Sequence, residues 1–299
     1  MNSYRFIASV ESDHPVALSC TVLKVARSGF YAWRRRERLG LPCARTRADV
    51  TLTERITVIH RESAGTYGSP RVHAELLAQQ VHCARKRVER LMRQTGLHGC
   101  RRPVRRVRTT VADPATAPAT DLVQRAFAPA VIGAPNRLWV ADLTYVATTE
   151  GWLYLAAVLD AFSRRVVGWS MADHLRTDLV LDALTMALQR RQPRAGLIHH
   201  SDHGCQYTAV AFGAQLQAAG LVASMGSVGD CFDNAVAESF FATLKVELLY
   251  REEWLTRAAA KSAIFRFIET WYNTRRRHST LDYLSPAAFE EVQQQNAVA

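Results

Sequence analysis

The chain is expected to fold as an α/β protein: a domain on a mixed five-stranded sheet, preceded by an all-α region with a helix-turn-helix. Three observations lead there. Apolar residues before about residue 100 recur at helical spacing, and from Asn136 the pattern switches to short apolar runs alternating with helices. Charge is split along the chain. Residues 1–112 carry 22 Lys and Arg against 8 Asp and Glu, a net of +14, while residues 113–299 carry 16 against 19, a net of −3. A basic front on a near-neutral back suits a polyanion-binding module joined to something else. Third, 299 residues with 48% hydrophobic side chains are enough for two or three domains with sizeable cores.

Residues 1–44 read as a helical, helix-turn-helix-like segment. Two short helices fall within residues 16–38; Leu18, Val22, Leu23 and Val25 line the first, and Ser28 can cap the second, which exits through Arg34, Arg35 and Arg36. Residues 45–108 read as a DNA-binding helix-turn-helix domain. A helix covers about Ala48 to Glu62, and a turn at residues 65–70 offers Ser69 as cap with Pro70 at the first helical position. A short helix follows over Arg71–Gln79, then a third from about Ala84 to Gln94, ending at Gly96. Val88, Leu91 and Met92 form the apolar stripe of this third helix; Arg85, Lys86, Arg87, Arg90 and Arg93 cover its other face. That is the pattern of a recognition helix lying in a major groove or along phosphates, and Arg101, Arg102, Arg105 and Arg106 extend it. Residues 109–135, rich in Pro, Ala and Thr, read as a linker.

Residues 136–250 carry the strands. Leu138–Ala147 and Trp152–Leu159 form the first two, with Gly151 in the turn between them; Arg165–Ala172 forms the third. A helix over Thr177–Arg191, a strand at Leu197–His200, a helix over Val210–Ala219 and a strand at Leu221–Met225 complete the set. This order is that of a ribonuclease-H-like fold, in which the first and fourth strands lie side by side. Residues 251–299 are read as a C-terminal helix, Arg257–Thr274, and a tail through Ser285 and Pro286. In that tail Arg275, Arg276 and Arg277 are candidate phosphate contacts.

Three acids occupy unusual places. Asp142 sits near the middle of the first strand, where an unpaired carboxylate is expensive to bury. Asp202 follows a short apolar run and precedes Gly204, as at the exposed end of a buried strand. Glu238 lies in an amphipathic helix that Asp233 or Asn234 can cap. The fold expected above brings all three together, and their best shared task is to hold hard divalent cations such as Mg²⁺, which prefer oxygen ligands. Two such ions would activate an attacking oxygen and steady a leaving one.

At these residues the chain resembles a known family. The blocks Trp139–Tyr145, His200–Tyr207 and Asp233–Phe241, with 35 residues between Asp202 and Glu238, look like the DDE motif of insertion-sequence transposases. The match is to the OrfB product of the IS-three family, similar in turn to retroviral integrases. The resemblance runs from Tyr4 to Pro286 and implies a retroviral-integrase-like catalytic core with Asp142, Asp202 and Glu238 as both catalytic and metal-binding residues. It further implies two Mg²⁺ ions, with Mn²⁺ able to substitute, acting in 3′-end cleavage and strand transfer on transposon ends and target DNA. Lys245, seven residues past Glu238, matches the basic residue that contacts the transposon end. A homo-oligomer on DNA, an OrfA-type partner or frameshift fusion, and a cytoplasmic, nucleoid-associated location in a bacterium are implied as well. Two other readings stay open: a nuclease of ribonuclease-H type that only hydrolyses, and a catalytically idle DNA-binding regulator.

The remaining residues narrow the class. Six scattered cysteines without a Cys-x-x-Cys pair argue against structural zinc and for free thiols. No apolar run is long enough to span a bilayer, and the N-terminus does not read as a signal peptide, so no membrane role and a cytoplasmic protein are expected. Asp160 is expected to be a turn or cap acid, and His199 and His200 packed side chains on opposite faces of the sheet. His203 and Cys205 stand where the family pattern leads us to expect Arg and Ser.

Overall fold

The computed structural model describes residues 3–100, 121–202, 204–226 and 234–298. Arg101, Arg102, Arg105, Arg106, His203, Cys231 and Asp233 lie outside these residues. The chain divides into two compact units, Met1–His98 and Gly99–Ala299.

In the first unit, α1 (Ser3–Ser9), α2 (Val16–Val22) and α3 (Arg27–Arg38) close around Ile7, Cys20 and Phe30. The sequence reading missed α1, which is short and held by tertiary contacts: Tyr4 stacks on Trp33 at 6.0 Å and meets Phe30. Ser28 is not a cap, because α3 begins two residues earlier than expected and its N-cap is Ala26. Next in the chain come α4 (Ala44–Glu62), α5 (Ser69–Ala78) and α6 (Arg85–Gln94), whose buried faces are Leu52, Ile56 and Ile59, Val72 and Leu76, and Val88, Leu91 and Met92. Ser69 is the first residue of α5 and Gly68 its cap, so the expected serine cap is also corrected. After α6 the chain turns at Gly96, whose φ of +69° suits glycine; the Leu97 N–H then returns to the Met92 carbonyl at 2.9 Å.

The second unit is built on β1 (Leu138–Thr148), β2 (Gly151–Asp160), β3 (Val166–Ala172), β4 (Ile198–Ser201) and β5 (Val222–Met225). Their spatial order is β3-β2-β1-β4-β5, with the first three antiparallel and β1, β4 and β5 parallel. This is the mixed sheet expected, with the first and fourth strands side by side. The alternation of side chains along β1 feeds two cores. Trp139 and Ala141 pack with α8 (Thr177–Arg191) and α9 (Val210–Ala218) on one face; Leu138, Val140 and Val146 pack with α10 (Ala235–Glu247) and α11 (Arg257–Arg266) on the other. Gly168 on β3 permits the close approach of α8, since a Cβ there would stand 2.2 Å from the Ala183 carbonyl oxygen.

Part of the expected linker is packed, not free. Val123 and Phe127 are buried in the core facing α10, the Leu122 N–H donates to Ser224 Oγ at 3.0 Å, and a single turn, α7 (Pro129–Ile132), follows. The expected long C-terminal helix is α11 continued by a π-helical turn, Phe267–Tyr272. A further helix, α12 (Pro286–Val298), went unread in the sequence. It docks by Phe289 on Phe162 and by the buried Glu290, which takes up Ser163, Arg165 and Arg191. Asp160 is the turn acid expected, accepting the N–H groups of Phe162, Ser163 and Asn136.

Candidate active site

Register alone brings two of the three acids together. In the parallel β1–β4 ladder the last pair is Ala141 with Ser201, so the next residues, Asp142 and Asp202, leave the ladder side by side at the carboxyl end of β4. Such strand ends are where open α/β sheets bind ligands. Asp142 Oδ1 accepts its neighbour's N–H (Leu143, 2.7 Å), and Asp202 Oδ1 accepts the N–H of Gly204 at 3.1 Å. Neither contact is a cation. Burial first, and then the charge of Asp202 with a lesser part from Glu238, push the Asp142 carboxyl up to about 8; Lys245 pulls the other way.

Glu238 comes from α10, whose apolar face (Val236, Ala237, Phe240, Phe241, Leu244) is buried on the sheet and leaves the glutamate exposed in the first turn. It reaches Asp142 electrostatically, but among the described residues no three His, Cys, Asp or Glu side chains stand close enough together to hold a metal ion as they are. Asn234 does not cap α10 by its side chain. Instead its Nδ2 donates to the Ala141 carbonyl at 2.9 Å, inside the core, and so pins the start of α10 to β1 one residue before Asp142. The sequence reading saw only the cap; an Asn four residues ahead of the helix acid was the available signal.

Other neighbours follow from the same geometry. Tyr207 is buried close to both aspartates, and burial together with their charges raises its hydroxyl well above the usual tyrosine range. It belonged to a quoted block, yet the sequence reading assigned it no role. His199 packs between Tyr207 and Phe212 on one face, and burial depresses it to about 4, so the ring is neutral. His200 turns to the other face, with Nδ1 2.9 Å from Ser224 Oγ. The expected opposition of the two histidines holds. Cys205 is exposed. Lys245 is half-buried two turns past Glu238, its Nζ 5.8 Å from the centre of the Tyr145 ring; burial lowers its pKa and Asp142 opposes that.

The proposed DNA contacts separate into distinct groups. On α6, Arg85, Lys86 and Arg93 are exposed, although Arg93 also pairs with Glu89 one turn back at 2.9 Å. Arg87 and Arg90 instead grip Asp49 of α4 at 2.7 and 2.8 Å, and that pairing holds the Asp49 carboxyl below its usual range. In the C-terminal tail Arg275 is exposed, and Arg277 donates to the Tyr283 carbonyl at 3.0 Å. Arg276 is withdrawn as a phosphate contact. It is buried in a two-pronged pair with Glu247, at 2.8 and 2.7 Å, which ties the tail to the last turn of α10.

Comparison with known proteins agrees with this architecture. Residues 133–231 and 219–286 match models of the integrase core domain, and residues 47–106 match an HTH-like domain. The chain is 41% identical over 278 residues to the "Insertion element IS600 uncharacterized 31 kDa protein" of Shigella sonnei, covering 93% of this chain and 99% of that one. It is 41% identical to a "Putative transposase for insertion sequence element IS986/IS6110" of Mycobacterium tuberculosis, covering 90% and 95%. It is 39% identical to "Transposase InsF for insertion sequence IS3A" of Escherichia coli, covering 96% and 98%. With a helix-turn-helix-like front and an integrase core spanning its sheet, the chain belongs to the insertion-sequence transposases.

Proposed function

We propose that this transposase cleaves DNA at the ends of its element and joins them to target DNA, with Asp142, Asp202 and Glu238 as the catalytic, metal-holding acids. The observation that carries this is the pair of aspartates delivered side by side by the β1–β4 register, with α10 pinned alongside by Asn234. Their chemistry fits hard divalent cations. The donors are all carboxylate oxygens, and an Asp142 carboxyl driven up to about 8 by burial and neighbouring acids is what a bound cation would relieve. Two ions, Mg²⁺ with Mn²⁺ as substitute, would supply activation of the attacking oxygen and stabilisation of the leaving one.

The chain's own residues do the rest. No side-chain nucleophile is required: hydrolysis at the element end frees a 3′-hydroxyl, which attacks a target phosphodiester and displaces its 3′-oxygen. Asp142 and Asp202 fix the reaction centre on the rigid sheet, and Glu238 contributes from the helix. Lys245 sets a DNA phosphate beside them as a point charge. The exposed Arg85, Lys86 and Arg93 of α6 hold DNA, with Arg87 and Arg90 bracing that helix on Asp49 while keeping part of their charge at the surface. Arg275 and Arg277 add phosphate contacts from the tail. A homo-oligomer on DNA, an OrfA-type partner or fusion, and a cytoplasmic, nucleoid-associated setting complete the reading; among the described residues no helix is long and apolar enough to cross a membrane. The test is a strand-transfer assay with Mg²⁺ on labelled element ends. Asp142→Asn, Asp202→Asn and Glu238→Gln should each abolish cleavage and joining while retaining DNA binding; near-normal cleavage by any one of them removes that residue from the metal site.

A further inference from the structure

Two large aromatic side chains stand in the open where the strand bearing Asp142 leaves its parallel partner. β1 runs on to Thr148, beyond its last pairing with β4 at Ala141, and turns back into β2 at Gly151. On this hairpin Tyr145 is 51% and Trp152 49% exposed. Tyr145 lies opposite Tyr154 and Trp152 opposite Ala147, so the two are diagonal neighbours on one sheet face. Their rings meet edge to face, 5.0 Å between centres at 83°. An edge-to-face pair leaves at least one flat ring face clear.

Cations frame the pair. Lys245 Nζ is 5.8 Å from the Tyr145 ring centre. Arg257 Nε donates to the Trp152 carbonyl at 3.0 Å, and its guanidinium stands over Gly151. Tyr145 is three residues past Asp142, about 10 Å along the strand, and that odd step puts it on the other sheet face; a strand of about three nucleotides at ~3.4 Å each would pass over the edge of β1 beyond its last pairing with β4, where Lys245 lies near Tyr145 and acts on Asp142. Exposed aromatic faces beside basic side chains are the composition of a single-stranded nucleic-acid surface, in which every base offers a π-face and every phosphate a charge. A protein-docking surface would differ, since charge is depleted at the centre of such patches.

We propose that Tyr145 and Trp152 form a stacking platform for an unpaired base of the DNA strand whose phosphodiester lies at Asp142 and Asp202, with Lys245 and Arg257 engaging the flanking phosphates. The inference rests on the DNA-cleaving reading above and adds base contact to a site otherwise described by acids and phosphate.

The experiment needs no cleavage. The full chain in EDTA is titrated into a duplex with a short single-stranded tail carrying 2-aminopurine, moved one position at a time. The wild type should quench the probe at one or two positions. Trp152→Ala and Tyr145→Ala should relieve that quenching and weaken binding to the tailed duplex roughly tenfold, with little change for blunt duplex; Trp152→Phe should keep most of both signals. Should an Ala variant fail to fold, Trp152→Leu decides, because it retains an apolar side chain without an aromatic face. Unchanged quenching and affinity in the folded variants overturn the platform. So does wild-type DNA binding accompanied by a smaller assembly mass in light scattering, which would make the pair a protein contact. If the acid variants kept cleavage the catalytic reading would fail, while the quenching would still judge the platform.

Discussion

Replacing Asp142 with Asn removes one of three mutually repelling acids while keeping the side chain's shape and an oxygen for the Leu143 N–H. The sign follows from where the carboxyl ionises: near 3.8 in the unfolded chain and near 8 in the folded one. Below pH 3.8 both states hold the proton, and the group costs nothing. Between the two values the unfolded chain has released a proton that the folded chain keeps, so stability falls as pH rises, and the loss is complete above about 8. At about 1.4 kcal/mol per pH unit the ceiling is about 6 kcal/mol. Partial exposure of Asp142 and solvent screening of the exposed Glu238 reduce the expected gain to about 2–3 kcal/mol at pH 8 in EDTA. For a unit of roughly 200 residues that is about 4–12 °C in Tm. At pH 5 the gain should shrink to under about 1 kcal/mol. Tryptophan fluorescence is the assay, because every tryptophan except Trp33 lies in the second unit. Mg²⁺ should raise the Tm of the wild type more than that of the variant. A gain no larger at pH 8 than at pH 5, or a loss at both, would refute the electrostatic account. The same substitution should abolish cleavage, so that stability and activity move in opposite directions.

Three further outcomes follow from the same structure. Lys245→Ala should weaken end processing with an unchanged Mg²⁺ dependence, Lys245→Arg should recover part of it, and Lys245→Glu should be worse than Ala; wild-type processing by both Ala and Glu variants rejects the role. Arg276→Ala should cost about 3–5 kcal/mol, because it removes the two-pronged cation from the buried Glu247 carboxylate, whereas Arg275→Ala should leave melting unchanged and weaken DNA binding; equal melting of the two in thermal denaturation contradicts the assignment. DNA affinity should reside mainly in residues 1–112 and fall steeply with salt through counterion release; an equal salt slope and affinity for a fragment of residues 134–299 would show that the basic front is not the main DNA-binding surface.

Much of this molecule was legible in one dimension. The order of strands and helices in the second unit, the three-helix run over residues 44–94 and the unusual placement of Asp142 and Asp202 were read from apolar period, turn residues and the cost of a carboxylate in a strand, all of which are local. What the period cannot carry is register and pairing. That Asp142 meets Asp202 depends on Ala141 lying opposite Ser201; a slip of one residue along β4 would send the aspartate to the other sheet face. An arginine in sequence looks the same whether it faces solvent, a phosphate or a carboxylate far along the chain. Only the folded chain gave Arg87 and Arg90 to Asp49, Arg276 to Glu247, and Arg191 to Glu290 of a helix the sequence reading had not seen. It likewise turned Asn234 from a helix cap into a brace on β1. These pairings are set by which surfaces pack when apolar area leaves water, and that choice is made between elements, not within them.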